Sequence, residues 1–372
     1  MSQPAGQQLP VSYAEWESRA RSVLAKGPFD YIDGGAGDED TIRVNREAFR
    51  SWRLQPQVLR NVSKRDARVT LFGKTYPAPV MLAPISIQGI AHPLGELASA
   101  RAAAALGVPF ILSTVSSRPL EEVAAVMGNA PRWFQLFWPN DPDVTASLLR
   151  RAEAAGYSAI VLTVDLPVYG WRERDIRNGY NPFQVGEGIA NFVTDPAFRA
   201  KLRKPPEQDW QAAISLFGSI FFHPSLSWAD LPFLRLHTKL PILIKGILNK
   251  QDAELALRYG ADGIVVSNHG GRQVDGEVAS LDVLPDVLDI VRGRIPVLMD
   301  SGIRNGPDVI KAISLGASAI LFGRPYIYGL AVAGETGVGR VIQNLFTDLD
   351  LTMANCGIRS IAEMNRTFLI RR

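Results

Sequence analysis

A single cysteine, Cys356, stands among the 372 residues. One thiol excludes an intramolecular disulfide framework and a multi-cysteine metal site, and it is read as a plain core residue; no metal is expected. Long hydrophobic runs are also missing. None reaches the ~18 residues of a membrane helix, and Met1–Pro10 is polar where a leader would turn apolar. The expectation is a cytoplasmic protein without a membrane partner. An excess of one charge is lacking too: 40 basic against 37 acidic residues leave +3, with no long basic run, so nucleic acid is not an expected partner. What the chain does have is core-forming material. With 47% hydrophobic and 21% charged residues it suits one or two domains with a large core, and α/β barrels of this size can be single domains.

The N-terminal part reads as helical. Tyr13, Trp16, Ala20, Val23 and Leu24 recur at helical spacing over 12–25, with Ser12 and Glu15 in a capping-box pattern. Glycines 34, 35 and 37 break the helix, residues 38–50 resume a polar one, and Val69–Tyr76 reads as a hairpin turning at Gly73. Then a rhythm of short apolar runs sets in: Val80–Ala83, Phe110–Ser113, Trp133–Phe137, Ala159–Val164, Ile242–Lys245, Ile264–Ser267, Val297–Asp300 and Ala319–Gly323. Helix-period segments separate most of them, and Gly107, Gly156, Gly260 and Gly316 close helices just before a run. Near-continuous apolar strands alternating with helices imply a parallel sheet. Eight such units predict a (β/α)8 TIM barrel, with an N-terminal helical extension. A doubly wound open sheet is the alternative, but it calls for an early Gly-rich fingerprint that the first unit lacks. The division expected is one domain over 1–372: extension 1–78, barrel 79–353, tail 354–372. Leu166–Leu240 is longer than one connecting helix requires and predicts a partly mobile lid after the fourth strand, over 166–226.

Chemistry in such barrels sits at the C-terminal ends of the strands. Those ends carry Ala83-Pro84-Ile85-Ser86, Ser113, Gln135 with Phe137, Thr163 and Asp165 with Arg172 after them, Lys245, Ser267-Asn268-His269-Gly270-Gly271-Arg272, Asp300 through Arg304, and Gly323-Arg324. An imidazole can serve as a base near neutral pH, and guanidinium groups grip carboxylates. Gly302 and Arg304 with Gly323 and Arg324 lie where these barrels bind phosphate. Lys245 needs an anionic partner, either a flavin ring or a carboxylate such as Asp300.

With these motifs the chain resembles the FMN-dependent α-hydroxy-acid oxidising enzymes, a family that includes glycolate oxidase, lactate oxidase, lactate 2-monooxygenase and mandelate dehydrogenase. The match runs from about Tyr13 to Arg366. Ser267–Gln273 resembles the family's active-site signature, and Asp300–Arg304 with Gly323–Pro325 its phosphate-binding tail. Asn181–Leu240 and Asn268–Glu277 look most like lactate 2-monooxygenase. The resemblance implies FMN as cofactor, a small lactate-like L-2-hydroxy acid and O2 as partners, and a homo-oligomer, a tetramer in relatives. It implies His269 as the base paired with Asp165, with Arg172, Arg272 and Tyr31 on the substrate and Phe137 beside it. It places Lys245 at the flavin ring, with Ser113, Gln135 and Thr163 bonded to the ring, Ala83–Ser86 on its other side and Ser267 close by. Asp300, Gly302, Arg304, Gly323 and Arg324 hold the ribityl phosphate.

Phe137 stands where the family usually has tyrosine, and Ser86 where it usually has alanine or glycine. Val115 replaces an aromatic of glycolate oxidase and opens the pocket, which Tyr169 partly refills. The expected activity is oxidation to the 2-oxo acid, with oxidative decarboxylation if the product stays bound while O2 reacts and peroxide release if it leaves. A larger or aromatic 2-hydroxy acid is the alternative substrate. An FMN-dependent isomerase on the same barrel would lack the His269, Arg172 and Arg272 set, and a non-catalytic flavin-binding protein would have lost it.

Overall fold

The computed structural model describes residues 8–372, so the first seven residues of the polar Met1–Pro10 stretch lie outside it. Eight parallel strands close into a barrel in sequence order. They span Val80–Leu82, Phe110–Ser113, Arg132–Leu136, Ile160–Thr163, Ile242–Ile247, Gly263–Val266, Val297–Met299 and Ala319–Phe322, and are called strands 1 to 8. The fold is thus the TIM barrel that the apolar runs predicted.

The core divides at the barrel wall. Met81, Ile111, Trp133, Val161, Leu243, Val265, Leu298 and Leu321, one from each strand, form the inner cluster. Their neighbours Leu82, Phe110, Leu112, Phe134, Ile160, Leu162 and Ile244 belong to the outer cluster shared with the helices. Alternation along a strand explains this split, and burial on both faces explains why the strands read as continuous apolar runs. Each such side chain stabilises by roughly 1.5–3 kcal/mol. The hairpin Val69–Leu71 with Lys74–Tyr76 closes one end of the barrel, with the Phe72 ring 5.8 Å from Trp133. Gly107, Gly156, Gly260 and Gly316 all have positive φ, the conformation that ends a helix with little cost only at glycine.

The extension differs from its reading in one respect. Ser12 and Glu15 form the expected capping box on Tyr13–Val23. A further helix, Lys26–Asp33, follows before the glycines take effect at Gly34. It has no side-chain N-cap, so the usual signal was missing, and it carries Tyr31 to the barrel mouth. At the other end of the chain, Leu369–Arg371 pairs antiparallel with Trp52–Leu54.

The long insert is built as short helices, including Glu173–Asn178, Ala190–Val193, Pro196–Arg199 and Trp210–Ile220. Ala190–Val193 begins inside residues 187–191, a glycine-bearing stretch that reads as loop from the sequence. Buried Asp195 caps Pro196–Arg199 and takes hydrogen bonds from Ser147 and Arg151 of the barrel helix Pro142–Ala154, at 2.8 and 2.9 Å. Phe183, Phe192, Phe217 and Phe221 pack ring against ring above this anchor. Among the described residues no helix is long and apolar enough to cross a membrane.

Candidate active site

Strands 4, 5 and 6 bring three titratable groups together. Thr163 of strand 4 pairs with Lys245 of strand 5, and Val265 of strand 6 lies beside Lys245. Just beyond these pairs, His269 Nδ1 lies 2.7 Å from Asp165 Oδ1. Lys245 Nζ lies 3.8 Å from Asp165 and 3.4 Å from Asp300, and donates to Ser267 Oγ at 2.9 Å. Ser267 Oγ also accepts from the His269 backbone N–H, so it positions both groups. Gly246, at φ 112°, is required here, since a Cβ would sit 2.7 Å from that of Asp165.

The electrostatics follow from burial. Burial opposes the charge on Lys245, but Asp300 and Asp165 outweigh it and hold its pKa above the ordinary value. Burial also opposes ionisation of Asp165, yet His269 and Lys245 keep it a carboxylate with a lowered pKa. For His269 burial dominates, assisted by Lys245, and lowers the pKa despite Asp165. The imidazole is therefore neutral at neutral pH. With Asp165 on Nδ1–H, Nε2 carries the free lone pair, the tautomer a base needs.

Three guanidinium groups gather opposite. Arg172, at the entry to Glu173–Asn178, donates to the Arg272 carbonyl at 3.1 Å and to Gln273 Oε1 at 3.0 Å. Arg272 lies 5.2 Å above the Tyr31 ring and donates to the Gly34 carbonyl. Burial, then the charges of Arg172 and Arg324, push Arg272 down to about 9. Crowded cations away from water call for an anion. Phe137 stacks on His269 with centroids 6.2 Å apart, and its ring meets Phe221 of the insert.

These groups line a cavity, about 1040 Å3 with the space open to solvent counted, that extends along Ala83–Ser86 to Asp300–Arg304 and Gly323–Arg324. The residues present fit FMN. One end of the cavity has the N-terminus of the helix Arg324–Asn355, the positive end of its dipole, with Gly302 and Arg304 nearby, a fit for a phosphate. Towards the barrel axis stands Lys245, with a chain of hydrogen bonds behind the wall: Ser86 and Ser113 at 3.3 Å, Ser113 to Gln135 at 3.0 Å, and Gln135 to Thr163 at 3.0 Å. Among the described residues no cluster of His, Cys, Asp or Glu could hold a metal.

Several expected residues sit differently from a simple ligand list. The Arg324 side chain is committed to the carbonyls of Ile32, Gly34 and Gly270, so its backbone N–H is what faces an anion. Arg304 stacks 4.2 Å from the Tyr13 ring centroid. The Asp300 carboxylate, with Ser301 donating to it and Lys245 beside it, can accept from a ribityl hydroxyl but cannot carry a phosphate. Ser267, Ser113 and Gln135 do not line the cavity, and Thr163 lines a neighbouring one. Sequence reasoning assigns no individual role to Ser301, at φ 74°, whose hydroxyl accepts from Gly270, nor to Leu166, Phe183 and Phe221, which form the apolar wall. The phenylalanines come from an insert with no strand-end position to mark them.

Comparison with known proteins agrees with this geometry. The family model described as FMN-dependent dehydrogenase matches residues 20–371. An L-lactate oxidase of Lysinibacillus sphaericus is 44% identical over 98% of this chain and 93% of its own length. A peroxisomal (S)-2-hydroxyacid oxidase of Arabidopsis thaliana is 44% identical over 96% of this chain and 95% of its own. A crystal structure of mandelate oxidase superposes with a TM-score of 0.86 at 40% identity, covering 98% of both chains. With an oriented imidazole, a guanidinium cluster and a cavity whose lining suits FMN at the C-terminal end of a (β/α)8 barrel, the chain belongs to the FMN-dependent α-hydroxy-acid oxidoreductase family.

Proposed function

We propose that the chain oxidises an L-2-hydroxy acid to the 2-oxo acid, with O2 as the final electron acceptor. The observation that carries this reading is the neutral His269 imidazole, oriented by Asp165 at 2.7 Å and facing buried guanidinium groups. Arg172 and Arg272 bind the substrate carboxylate, and the Tyr31 hydroxyl, at the cavity wall, donates a further hydrogen bond. The hydroxyl-bearing carbon then lies within reach of His269 Nε2, which takes the proton. Asp165 stabilises the imidazolium that forms. FMN, when bound, supplies a two-electron acceptor. Lys245 holds a fixed positive charge beside it, kept protonated by Asp300 and Asp165. Phe137, Leu166 and Phe221 keep bulk water away.

The first choice of substrate is small and lactate-like. The apolar wall of Val115, Leu166, Phe183 and Phe221 supports a second reading, a larger or aromatic 2-hydroxy acid. If the 2-oxo acid leaves before O2 reacts, the products are that acid and hydrogen peroxide. If it is retained, they are the acid shortened by one carbon, carbon dioxide and water. His269→Ala tests the base: it should retain FMN and bind a 2-oxo acid while reduction by substrate falls at least 100-fold. Reduction at the wild-type rate would remove His269 from the role.

A further inference from the structure

A second cavity of about 1040 Å3, part of it open to solvent, lies behind the first. It is bounded by the ends of strands 4 and 5 and by the returning insert, through Val164, Ile247, Leu226 and Trp228. Among the described residues three side chains, Phe137, Leu166 and Phe221, line both cavities. All three are apolar, so no hydrogen bond has to break for something apolar to pass between them. Phe137 is the position where a tyrosine was expected. With that hydroxyl the partition would carry a polar group; without it both faces are hydrocarbon. The first cavity must hold FMN as well as substrate, so a longer side chain needs room beyond it, and this partition opens on one such space.

From this arrangement we infer that the second cavity receives the distal part of an unbranched or aromatic apolar side chain, extending the substrate class to 2-hydroxy acids longer than lactate. The inference rests on the hydroxy-acid reading only for the place of the carboxylate, at Arg172 and Arg272. The chain crosses beside Phe137, and its end rests between Trp138 and Trp228. Each methylene moved from water into such a site should tighten binding by roughly three- to fourfold.

The test uses the holoenzyme and straight-chain carboxylates from acetate to octanoate, which cannot be oxidised at C2 for want of a hydroxyl. Their Kd values, read from perturbation of the flavin absorbance, should fall about three- to fourfold per methylene. Leu226→Trp, on a half-buried loop and lining only the second cavity, should abolish the gain for hexanoate and octanoate and leave acetate and propionate within twofold. Val164→Leu narrows the cavity from the opposite wall and should act the same way, so a folding defect in one variant leaves the other to decide. A series flat beyond propionate in the wild type, or variants that weaken all lengths equally, would overturn the inference. Turnover of L-lactate and (S)-2-hydroxyoctanoate is measured alongside. A length gradient without turnover of either would fault the hydroxy-acid reading and support the chamber; turnover without a gradient would do the reverse.

Discussion

His269 and Ser301 are non-glycine residues with left-handed backbone, at φ 56° and 74°. Such conformations cost of order 1–3 kcal/mol and persist where the surroundings impose them. Here Ser267 and Asp300 impose them through hydrogen bonds at 3.0 and 2.8 Å. Asp165→Asn should keep this frame but remove the charge that orients and stabilises the imidazolium, so substrate-dependent reduction should slow roughly 10²–10⁴-fold with FMN retained; a change under threefold would contradict the pairing. Glu277 gives a stability readout. Burial, then the charge of Asp165, push its pKa up to about 7, and its buried Oε2 has no hydrogen-bond partner among the described residues. An acid whose folded pKa is raised binds more protons folded than unfolded between about 4.5 and 7, so its contribution to stability is lost as pH rises through that window. Glu277→Gln should match the wild-type Tm near pH 4.5 and exceed it at pH 8. A difference that did not grow with pH would refute this.

At the scale of elements, the barrel mouth is held together by Arg324, which ties the end of Lys26–Asp33 to the loop after strand 6. Arg324→Ala leaves the part-buried Ile32 and Gly270 carbonyls short of a donor, while Gly34 keeps Arg272, and should cost at least about 2 kcal/mol. Chemical denaturation measures it, and a loss under 0.5 kcal/mol, taken as roughly the range of a neutral surface change, would show the link to be idle. The eight strands were legible in the sequence because burial on both faces leaves a continuous apolar run. Four helix ends were legible because only glycine takes their φ cheaply. Lys26–Asp33 was not, since Ala25 offers no capping side chain. The four-residue helices Ala190–Val193 and Pro196–Arg199 are too short to show a period, and tertiary packing around Phe192 and Phe198 holds them. In the site, residues at strand ends could be read because topology fixes their position. Phe183 and Phe221 could not, because their place depends on how the insert folds back. Nor could the commitment of the Arg324 side chain to backbone carbonyls, which depends on contacts with residues about 290 positions away.

For the whole molecule, FMN should act as a structural ligand, since the cavity residues suited to hold it come from the ends of strand 1 and strands 5 to 8 and from the helix start at Arg324. Ligand at 100 times its Kd stabilises by about 2.7 kcal/mol. Protein stripped of flavin should gain several degrees in Tm with FMN and clearly less with riboflavin, which lacks the phosphate; equal gains would argue against the anion site at Gly302, Gly323 and Arg324. The central claim joins all three scales: a neutral base and a carboxylate clamp act on one enantiomer of a 2-hydroxy acid beside a bound flavin. Anaerobic mixing of the yellow holoprotein with 2-hydroxy acids tests it most directly. The account expects the flavin absorbance to bleach with L-lactate or a longer L-2-hydroxy acid, and to remain with the D enantiomers. A flavin that stays oxidised with every short, long and aromatic L-2-hydroxy acid would contradict it.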